Sequence, residues 1–248
     1  MTNKKINFIS TMPRSGSTLL ATLFNQSKDL SMTANSILPD MLYEMSKLKT
    51  FSIYKNFPDR VSFDNVLHNI FNLYYKDWKA STILDKGPWG TPANLYLLQQ
   101  IYKKLKFVIL YRPVLECLAS FVRTDDFKDI DEYCDYRMNI NGRIGKELHS
   151  IKNLIETKQD VYILTYKKLT LNPQLEINKM RKFLGLDSFK INPLVLSQLK
   201  INKISYDDDT ISAPLHKLKL GKIKNNLISI EKTLPKHIIK KYSNLDIL

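Results

Sequence analysis

The sequence predicts an α/β protein with three layers, in which helices cover both faces of a central parallel sheet. Four short segments are apolar almost throughout, as strands buried on both faces are. They are INFIS at 6–10, TILD at 82–85, KFVILY at 106–111 and VYILTY at 161–166. Segments with helical spacing separate them, and strands that alternate with helices pair in parallel through right-handed crossovers.

Apolar spacing and capping residues predict the helices in between. One helix begins at Ser17, and a second lies within residues 62–78. Apolar residues from Ile140 to Ile155 form the stripe of a long amphipathic helix. Another helix begins at Asn172-Pro173, with asparagine as the cap and proline in the first helical position.

Composition and length predict one globular domain over residues 1–248, with a less regular basic segment from about residue 200. The chain has 38 Lys and Arg against 24 Asp and Glu, a net charge of +14, which indicates an anionic partner. No apolar run reaches about 18 residues and no signal peptide is evident, so we expect a cytoplasmic protein without a membrane span. Two cysteines and four scattered histidines predict neither a disulfide framework nor a metal site.

The first predicted strand leads into the segment MPRSGSTLL, a P-loop-like strand–loop–helix unit. Its candidate ligand-binding residues are Arg14, Ser15, Gly16, Ser17 and Thr18. Backbone amides, the helix dipole and hydroxyls at such a turn surround a tetrahedral oxyanion, and the arginine adds a positive charge. The lysine and second glycine of a nucleoside-triphosphate loop are missing.

Basic residues follow two further predicted strands. Lys86 directly follows the second strand and precedes the turn at Gly87-Pro88. Arg112 ends the third strand, and Ser120 lies eight residues later, two turns into the next helix. Because ligands bind beyond the carboxyl ends of parallel strands, we expect Lys86 to point across the same edge as the first loop. Arg112 and Ser120 predict a second anion site, which together with the first loop is spaced for a ligand with two phosphate groups.

These segments resemble the sulfotransferase family, whose donor is 3′-phosphoadenosine 5′-phosphosulfate (PAPS), over roughly residues 6–190. The motif order is most similar to tyrosylprotein sulfotransferases and related bacterial sulfotransferase-like proteins. The resemblance implies that the loop with Arg14 holds the 5′-phosphosulfate and that Arg112 and Ser120 bind the 3′-phosphate. It also implies that Lys86 contacts the transferred group and that Tyr166, in TYKKLTLNP, lies on the adenosine side of the donor.

The resemblance implies transfer of a sulfuryl group from PAPS to a hydroxyl or amine, with release of the desulfated product PAP. Arg14 and Lys86 can stabilise the charge on the departing phosphate oxygen, so no metal is required. The acceptor stays open: a sugar, a lipid, a small alcohol or a peptide. Lys219, in the lysine-dense LHKLKLGKIKNN, is a further candidate donor contact if that stretch folds over the anionic site rather than forming a solvated tail.

The general base is not identified by the family motif. Tyrosylprotein sulfotransferases carry a catalytic glutamate at the position where an ungapped reading gives Asn35 here, and an amide cannot accept the proton. A helix that starts near Asn35 or Ser36 has an apolar face, made of Ile37, Leu38, Met41, Leu42 and Met45. Asp40 and Glu44 share the other face, which makes Asp40 the candidate base; the alternative is a solvated acidic pair.

Two other function classes fit part of the pattern. A P-loop kinase of small molecules shares the strand–loop–helix unit, but it requires the G-x-x-x-x-G-K-[ST] motif and a metal-holding carboxylate. A nucleic-acid-binding protein would explain the charge of +14, but no basic run here is interleaved with exposed aromatic residues. We therefore expect a nucleotide donor and no nucleic-acid partner.

Overall fold

A computed structural model describes residues 4–201, 203–206, 216, 223 and 228–248. Its strands are β1 (Lys5–Thr11), β2 (Leu30–Met32), β3 (Thr82–Lys86), β4 (Phe107–Tyr111), β5 (Val161–Thr165), β6 (Lys200–Ile201) and β7 (Ile204–Ser205). The first five form one parallel sheet in the order β2-β3-β1-β4-β5. The last two form a separate antiparallel pair. The predicted α/β class with a central parallel sheet is confirmed.

Helices connect these strands and pack on both faces of the sheet. Before β4 they are α1 (Ser17–Phe24), α2 (Leu38–Lys47), α3 (Ser52–Asn56), α4 (Arg60–Tyr74) and α5 (Pro92–Ile101). After β4 they are α6 (Val114–Val122), α7 (Ile130–Met138), α8 (Arg143–Glu156), α9 (Tyr166–Leu171), α10 (Pro173–Phe183), α11 (Ile230–Thr233) and α12 (Lys236–Tyr242).

The four predicted strands are all present, and their observed ends differ by at most one residue from the predicted ones. The short edge strand β2 was not predicted, because three residues carry too little periodic signal. The helix expected from Asn35 or Ser36 begins only at Leu38, since proline occupies its second position and favours the first turn of a helix. Of its predicted apolar face, Leu38 and Leu42 are buried, whereas Ile37 and Met41 are exposed.

Two hydrophobic cores lie on opposite faces of the sheet. On one face, side chains such as Phe8 and Ile109 pack against α2, α4, α5, α6 and α8. On the other face, Ile9 and Val108 pack against α1 and α10. Alternate residues of each strand point to opposite faces, so the continuous apolar strands supply both cores at once.

The strand register brings three loops to one edge of the sheet. Ile9 of β1 lies opposite Lys86 of β3, and Thr11 lies opposite Leu110 of β4. The loops that follow β1, β3 and β4 therefore leave the sheet side by side at its carboxyl edge. Within the part of the chain that the structure describes, no helix is long and apolar enough to cross a membrane.

Truncation of Phe8 is expected to destabilise the hydrophobic core on its face of the sheet. Its ring is 1% exposed and lies within 5.1–5.9 Å of the rings of Phe71, Trp89, Tyr102 and Phe107. We expect Phe8→Ala to lower the free energy of unfolding by about 3–5 kcal/mol, measured by urea denaturation. Ile53→Ala, at a position 78% exposed, should change it by no more than about 0.5 kcal/mol. Equal effects would contradict this packing.

Candidate active site

The loop between β1 and α1 is a fixed turn at the carboxyl edge of the sheet. The Met12 amide donates to the Leu110 carbonyl at 2.9 Å, which extends the pairing of β1 with β4 by one residue. Arg14 (φ 61°) and Gly16 (φ 86°) adopt left-handed backbone conformations, and the buried Ser15 hydroxyl donates to the Met12 carbonyl. The first amides of α1 have no intrahelical acceptor, so this turn presents hydrogen-bond donors to an anion.

Arg112 connects this turn to the end of β4. Its Nη1 donates to the carbonyl oxygen of Arg14 at 2.8 Å, and its Nε donates to Glu116 Oε2 at 2.9 Å. Arg14 Nε in turn donates to Ser120 Oγ at 3.1 Å. The predicted residues Arg14, Arg112 and Ser120, which are distant in sequence, are thus in direct contact.

Positive charge is concentrated at this turn. Burial lowers the pKa of Arg14; the Asp125 carboxylate opposes that change, and the guanidinium groups of Arg112 and Arg143 add to it. Like charges placed close together lower the pKa of a basic group, because each disfavours the charged form of the other. A bound anion would relieve this repulsion, so the electrostatics favour an anionic ligand.

Tyr166 closes the side of the turn that faces β5. It begins α9, and its ring lies 4.5 Å from the Arg112 guanidinium, in cation–π geometry. The same ring packs on Gly16, where an added Cβ would lie 3.0 Å from Tyr166 Cδ2. The absence of a side chain at residue 16 therefore permits both the left-handed turn and the contact with the tyrosine.

Lys86 ends β3 on the opposite side of β1. Its amide donates to Thr33 Oγ1 at 2.7 Å, while its side chain is half-buried. Burial lowers the pKa of the Lys86 ammonium; Glu147 opposes this change, and Arg143 adds to it. The lysine is therefore near Arg143 and Glu147 of α8 and next to Thr33.

Glu147 of α8 is a carboxylate that the sequence analysis missed. Burial raises its pKa to about 7, against the opposing effects of Lys86, Lys146 and the Thr11 backbone amide. Its buried Oε2 atom has no hydrogen-bond partner among the described residues. The signal in the sequence was an acidic residue beside the apolar stripe of an amphipathic helix, which by itself is equally typical of a solvated helix face.

Asp85 is a second carboxylate that the sequence analysis missed. It is fully buried, and its Oδ2 atom accepts hydrogen bonds from Ser36 Oγ at 3.0 Å and from the Tyr75 hydroxyl. Its Oδ1 atom accepts a hydrogen bond from Trp89 Nε1 at 3.0 Å. Burial raises the pKa of Asp85 to about 7, although these three hydrogen bonds favour its ionised form. An acidic residue within the apolar β3 strand was the available signal.

A cavity of about 600 Å³ opens beside β3 and α2. Its described lining residues are Thr33, Asn35, Ser36, Ile37, Asp40, Tyr74, Tyr75, Trp78, Ile201, Ile204, Ser205 and Tyr206. Thr33 is the residue that accepts the Lys86 amide, so the cavity begins next to the end of β3. The Tyr206 hydroxyl accepts the Ala34 amide at 2.9 Å, and the His216 ring stacks on the Tyr206 ring at 4.2 Å.

Asp40, the base expected from the sequence, lies at the rim of this cavity. Its side chain is 62% exposed, and Oδ1 is 3.6 Å from Lys146 Nζ. Lys219 lies outside the described residues, as does most of the basic segment around it. Among the residues that the structure describes, no group of three or more His, Cys, Asp or Glu side chains is arranged to hold a metal ion.

A family model described as a sulfotransferase domain matches residues 5–244. The chain belongs to the sulfotransferase family. The predicted resemblance is confirmed, and it extends over nearly the whole chain rather than only residues 6–190. The sulfotransferase family thus takes the place of the two alternatives considered from the sequence, a small-molecule kinase and a nucleic-acid-binding protein.

Solved structures of other sulfotransferases share this fold. The sulfotransferase domain from the curacin biosynthetic pathway is 17% identical, with a TM-score of 0.55 over 98% of this chain and 92% of that one. The sulfotransferase domain from the Synechococcus PCC 7002 olefin synthase is 16% identical, with a TM-score of 0.52 over 87% and 86%. Mouse sulfotransferase SULT7A1 complexed with PAP is 11% identical, with a TM-score of 0.52 over 98% and 82%. A search of curated proteins found no match.

The left-handed turn at Gly16 is expected to resist substitution in this sulfotransferase. Gly16→Ala places a Cβ at φ 86° and 3.0 Å from the Tyr166 ring, so we expect a loss of about 1–2 kcal/mol from the backbone conformation alone, measured by urea denaturation. Adding Tyr166→Ala removes the close contact between the new Cβ and the tyrosine ring but leaves the left-handed backbone strain. The double variant should therefore be less stable than Tyr166→Ala alone by the same amount, about 1–2 kcal/mol. Unchanged stability in Gly16→Ala would contradict the turn.

Proposed function

We propose that this sulfotransferase transfers the sulfuryl group of PAPS to a hydroxyl of an acceptor bound in the cavity beside β3, and releases PAP. The observation that carries this proposal is the convergence of Arg14, Arg112 and Ser120 on one turn, with Lys86 at the neighbouring strand end. The mouse sulfotransferase of the same fold is described as a complex with PAP, which supports a nucleotide of this kind as the donor.

Each donor contact follows from the chemistry of the residue. The turn from Met12 to Thr18 would hold the 5′-phosphosulfate through backbone amides and the Arg14 guanidinium. Arg112 and Ser120 would bind the 3′-phosphate, which distinguishes PAPS from ATP. The Tyr166 ring, already stacked on Arg112, would contact the adenosine.

The transfer forms a bond between the acceptor oxygen and sulfur and breaks the bond between sulfur and the phosphate oxygen. Negative charge grows on that phosphate oxygen as it departs. The Lys86 ammonium and the Arg14 guanidinium, both partly withdrawn from water, would stabilise this charge more than solvent does, and no divalent metal is needed for that.

The cavity indicates what kind of acceptor fits. Among its described lining residues, Asp40 alone carries a charge, while Ile37, Tyr74, Trp78 and Ile204 contribute apolar or aromatic surface. An anionic acceptor would be repelled by Asp40, so we propose an uncharged or cationic alcohol or phenol. Asp40 as the general base stays a prediction from the sequence.

The direct test is incubation of the purified protein with ³⁵S-labelled PAPS and a panel of neutral, cationic and anionic alcohols and phenols. We expect label on neutral or cationic members and stoichiometric PAP, with undiminished turnover in EDTA. Stabilisation in a thermal-shift assay by ATP with magnesium but not by PAP would contradict the proposal. So would strict dependence on a metal.

Arg112→Ala is expected to weaken PAP binding by about ten- to more than a hundredfold, because a hydrogen bond to a charged group contributes about 1.5–3 kcal/mol. Isothermal titration calorimetry would measure this. Adenosine 5′-phosphosulfate, which has no 3′-phosphate, should be bound almost as well as by the wild type. Equal losses for both ligands would contradict the assignment.

Arg123→Ala provides the matched control for that measurement. Arg123 is an exposed arginine that directly follows α6, and its removal should leave the affinity for PAP unchanged. Arg112 also contacts Glu116 and the Arg14 carbonyl, so its removal can destabilise the fold as well as the site. The free energy of unfolding of each variant should therefore be measured too, so that a loss of PAP affinity is not mistaken for a loss of folded protein.

Lys86→Ala is expected to lower kcat by about 10²–10³-fold with little change in PAP affinity, because the leaving-group charge develops only in the transition state. Single-turnover transfer from labelled PAPS measures the first quantity and calorimetry the second. Lys103→Ala, at an exposed lysine before β4 at the other end of the sheet, should behave as the wild type. Near-normal turnover of Lys86→Ala would remove Lys86 from the mechanism.

A further inference from the structure

The wall of the cavity contains a hydroxyl that is hydrogen-bonded to a buried carboxylate. Ser36 lines the cavity and is half-buried, and its Oγ donates to Oδ2 of the fully buried Asp85 at 3.0 Å. We propose that Ser36 takes the proton of the acceptor hydroxyl during transfer and passes its own proton to Asp85; this inference rests on the proposed sulfotransferase function. Ser36 is then the residue that touches the acceptor, and Asp85 is the positioning residue behind it.

The surroundings of Asp85 hold it in one orientation. The Tyr75 hydroxyl donates to the same Oδ2 atom as Ser36, and Trp89 Nε1 donates to Oδ1 at 3.0 Å. Burial opposes ionisation while these donors favour it, and the pKa of Asp85 is raised to about 7. A carboxylate with a pKa near neutral is suited to accept a proton at neutral pH and to release it afterwards.

Ser36 rather than Tyr75 is placed to reach an acceptor. Tyr75 is fully buried, whereas part of Ser36 is exposed to the cavity. Ser36 Oγ also accepts the Leu38 amide at 3.2 Å, which fixes its position at the start of α2. A hydroxyl oxygen has one proton to donate and two lone pairs, so Ser36 can donate to Asp85 while its second lone pair accepts from the acceptor.

The location of this pair suits the reaction. Asp85 directly precedes Lys86 in β3, and Thr33, three residues before Ser36, accepts the Lys86 amide at 2.7 Å. Asp85, which would finally hold the proton, and Lys86, which would stabilise the departing phosphate, are therefore consecutive residues at one strand end.

The protons and electron pairs balance in this step. The acceptor oxygen forms its bond to sulfur as its proton moves to Ser36 Oγ, and the Ser36 proton moves to Asp85 Oδ2. The bond from sulfur to the phosphate oxygen breaks, and its electron pair leaves with PAP. Asp85 ends as a neutral carboxylic acid and returns its proton to water through Ser36 after product release.

Two other carboxylates are less suited to this role. Asp40 is 62% exposed and paired with Lys146, so its environment does little to hold it against an acceptor. Glu147 is near Lys86, but the described lining of the cavity does not include it. Among the described residues that line the cavity, Ser36 combines a partly exposed hydroxyl with a hydrogen bond to a buried carboxylate that can take its proton.

The charged and titratable groups around Asp85 define what its pH dependence should be. The tyrosines that interact with it electrostatically, Tyr74, Tyr75, Tyr102 and Tyr206, all have raised pKa values and are neutral near pH 7. Lys86 adjoins it in sequence and Glu147 interacts with that lysine. Asp85 is therefore expected to be protonated below pH 7 and ionised above it, and Glu147 is the group from which it must be distinguished.

The first experiment compares two phenols as acceptors. With phenol, whose proton must be removed, Ser36→Ala should lower kcat by about 10²–10⁴-fold, and Ser36→Thr, which keeps a hydroxyl, should restore most of the rate. With 4-nitrophenol at mildly alkaline pH the acceptor is already largely ionised. Repulsion from Asp40 should lower the wild-type rate with this anion below the rate with phenol, but Ser36→Ala should lose less than about tenfold relative to the wild type with the same acceptor. Ser46→Ala, at a serine of α2 whose hydroxyl donates to the Tyr43 carbonyl instead of to Asp85, should match the wild type with both phenols.

The second experiment records the pH profile of kcat/KM with phenol. In the wild type we expect a fall of about tenfold for each pH unit below about 7, as Asp85 becomes protonated and can no longer accept a proton. Asp85→Asn should show a low rate without this fall, whereas Glu147→Gln should retain it. If Asp85→Asn does not fold, the Ser36→Ala and Ser36→Thr pair still tests the proposal.

Several results would overturn the inference. One is equal losses of Ser36→Ala with the two phenols, which indicate a structural role. A second is a normal kcat with phenol in Ser36→Ala together with a loss of kcat in Asp40→Asn. A third is that the fall of kcat/KM below pH 7 disappears in Glu147→Gln but not in Asp85→Asn. A wild type that binds PAP and transfers to neither phenol would also contradict it, because the cavity wall would then not admit a hydroxyl. A wild type that does not bind PAP at all would instead refute the proposed function.

Discussion

β1 is hydrogen-bonded in parallel to β3 on one side and to β4 on the other, and this pairing determines which side chains can share a ligand. The register places the ends of the three strands within a few residues of one another at the same edge. Arg14, Lys86 and Arg112 each follow or end one of these strands. Residues separated by up to 98 positions in sequence therefore meet without any long loop having to be ordered. The backbone sets the distances, and the side chains need only short adjustments.

The charged groups at this edge are held in place by contacts within the protein. Arg112 donates to a backbone carbonyl and stacks on Tyr166, with Glu116 as its carboxylate partner. Such contacts fix the guanidinium in place before a ligand arrives, so less ordering is required when an anion binds. Repulsion between Arg14 and Arg112 is tolerated because backbone and packing contacts elsewhere hold the two segments together.

Local patterns explain which parts could be predicted from the sequence. The sequence predicts the interior strands and the segment from Arg14 to Thr18 because each is a continuous stretch of the chain. It also predicts that Arg112 and Ser120 lie near each other, because a strand end and two helical turns span the eight residues between them. Ser36 and Asp85, by contrast, are 49 positions apart and meet only because β2 pairs with β3, and β2 was too short to predict. The burial of Glu147 near Lys86 depends on which face of α8 packs against the sheet. These contacts follow from tertiary packing rather than from spacing along the chain.

In the strand order β2-β3-β1-β4-β5, the residues proposed to bind the donor and the described residues that line the cavity come from different segments of the chain. The proposed donor contacts come from the turn after β1, from Lys86 at the end of β3 and from elements that follow β4 and β5. The described lining of the cavity comes instead from the segment after β2, from α4 and its end, and from β6, β7 and the residues around them. Mutations that reshape the cavity thus fall on segments separate from those that hold the nucleotide. Changes in the cavity lining can therefore alter the choice of acceptor without altering the residues proposed to hold the donor.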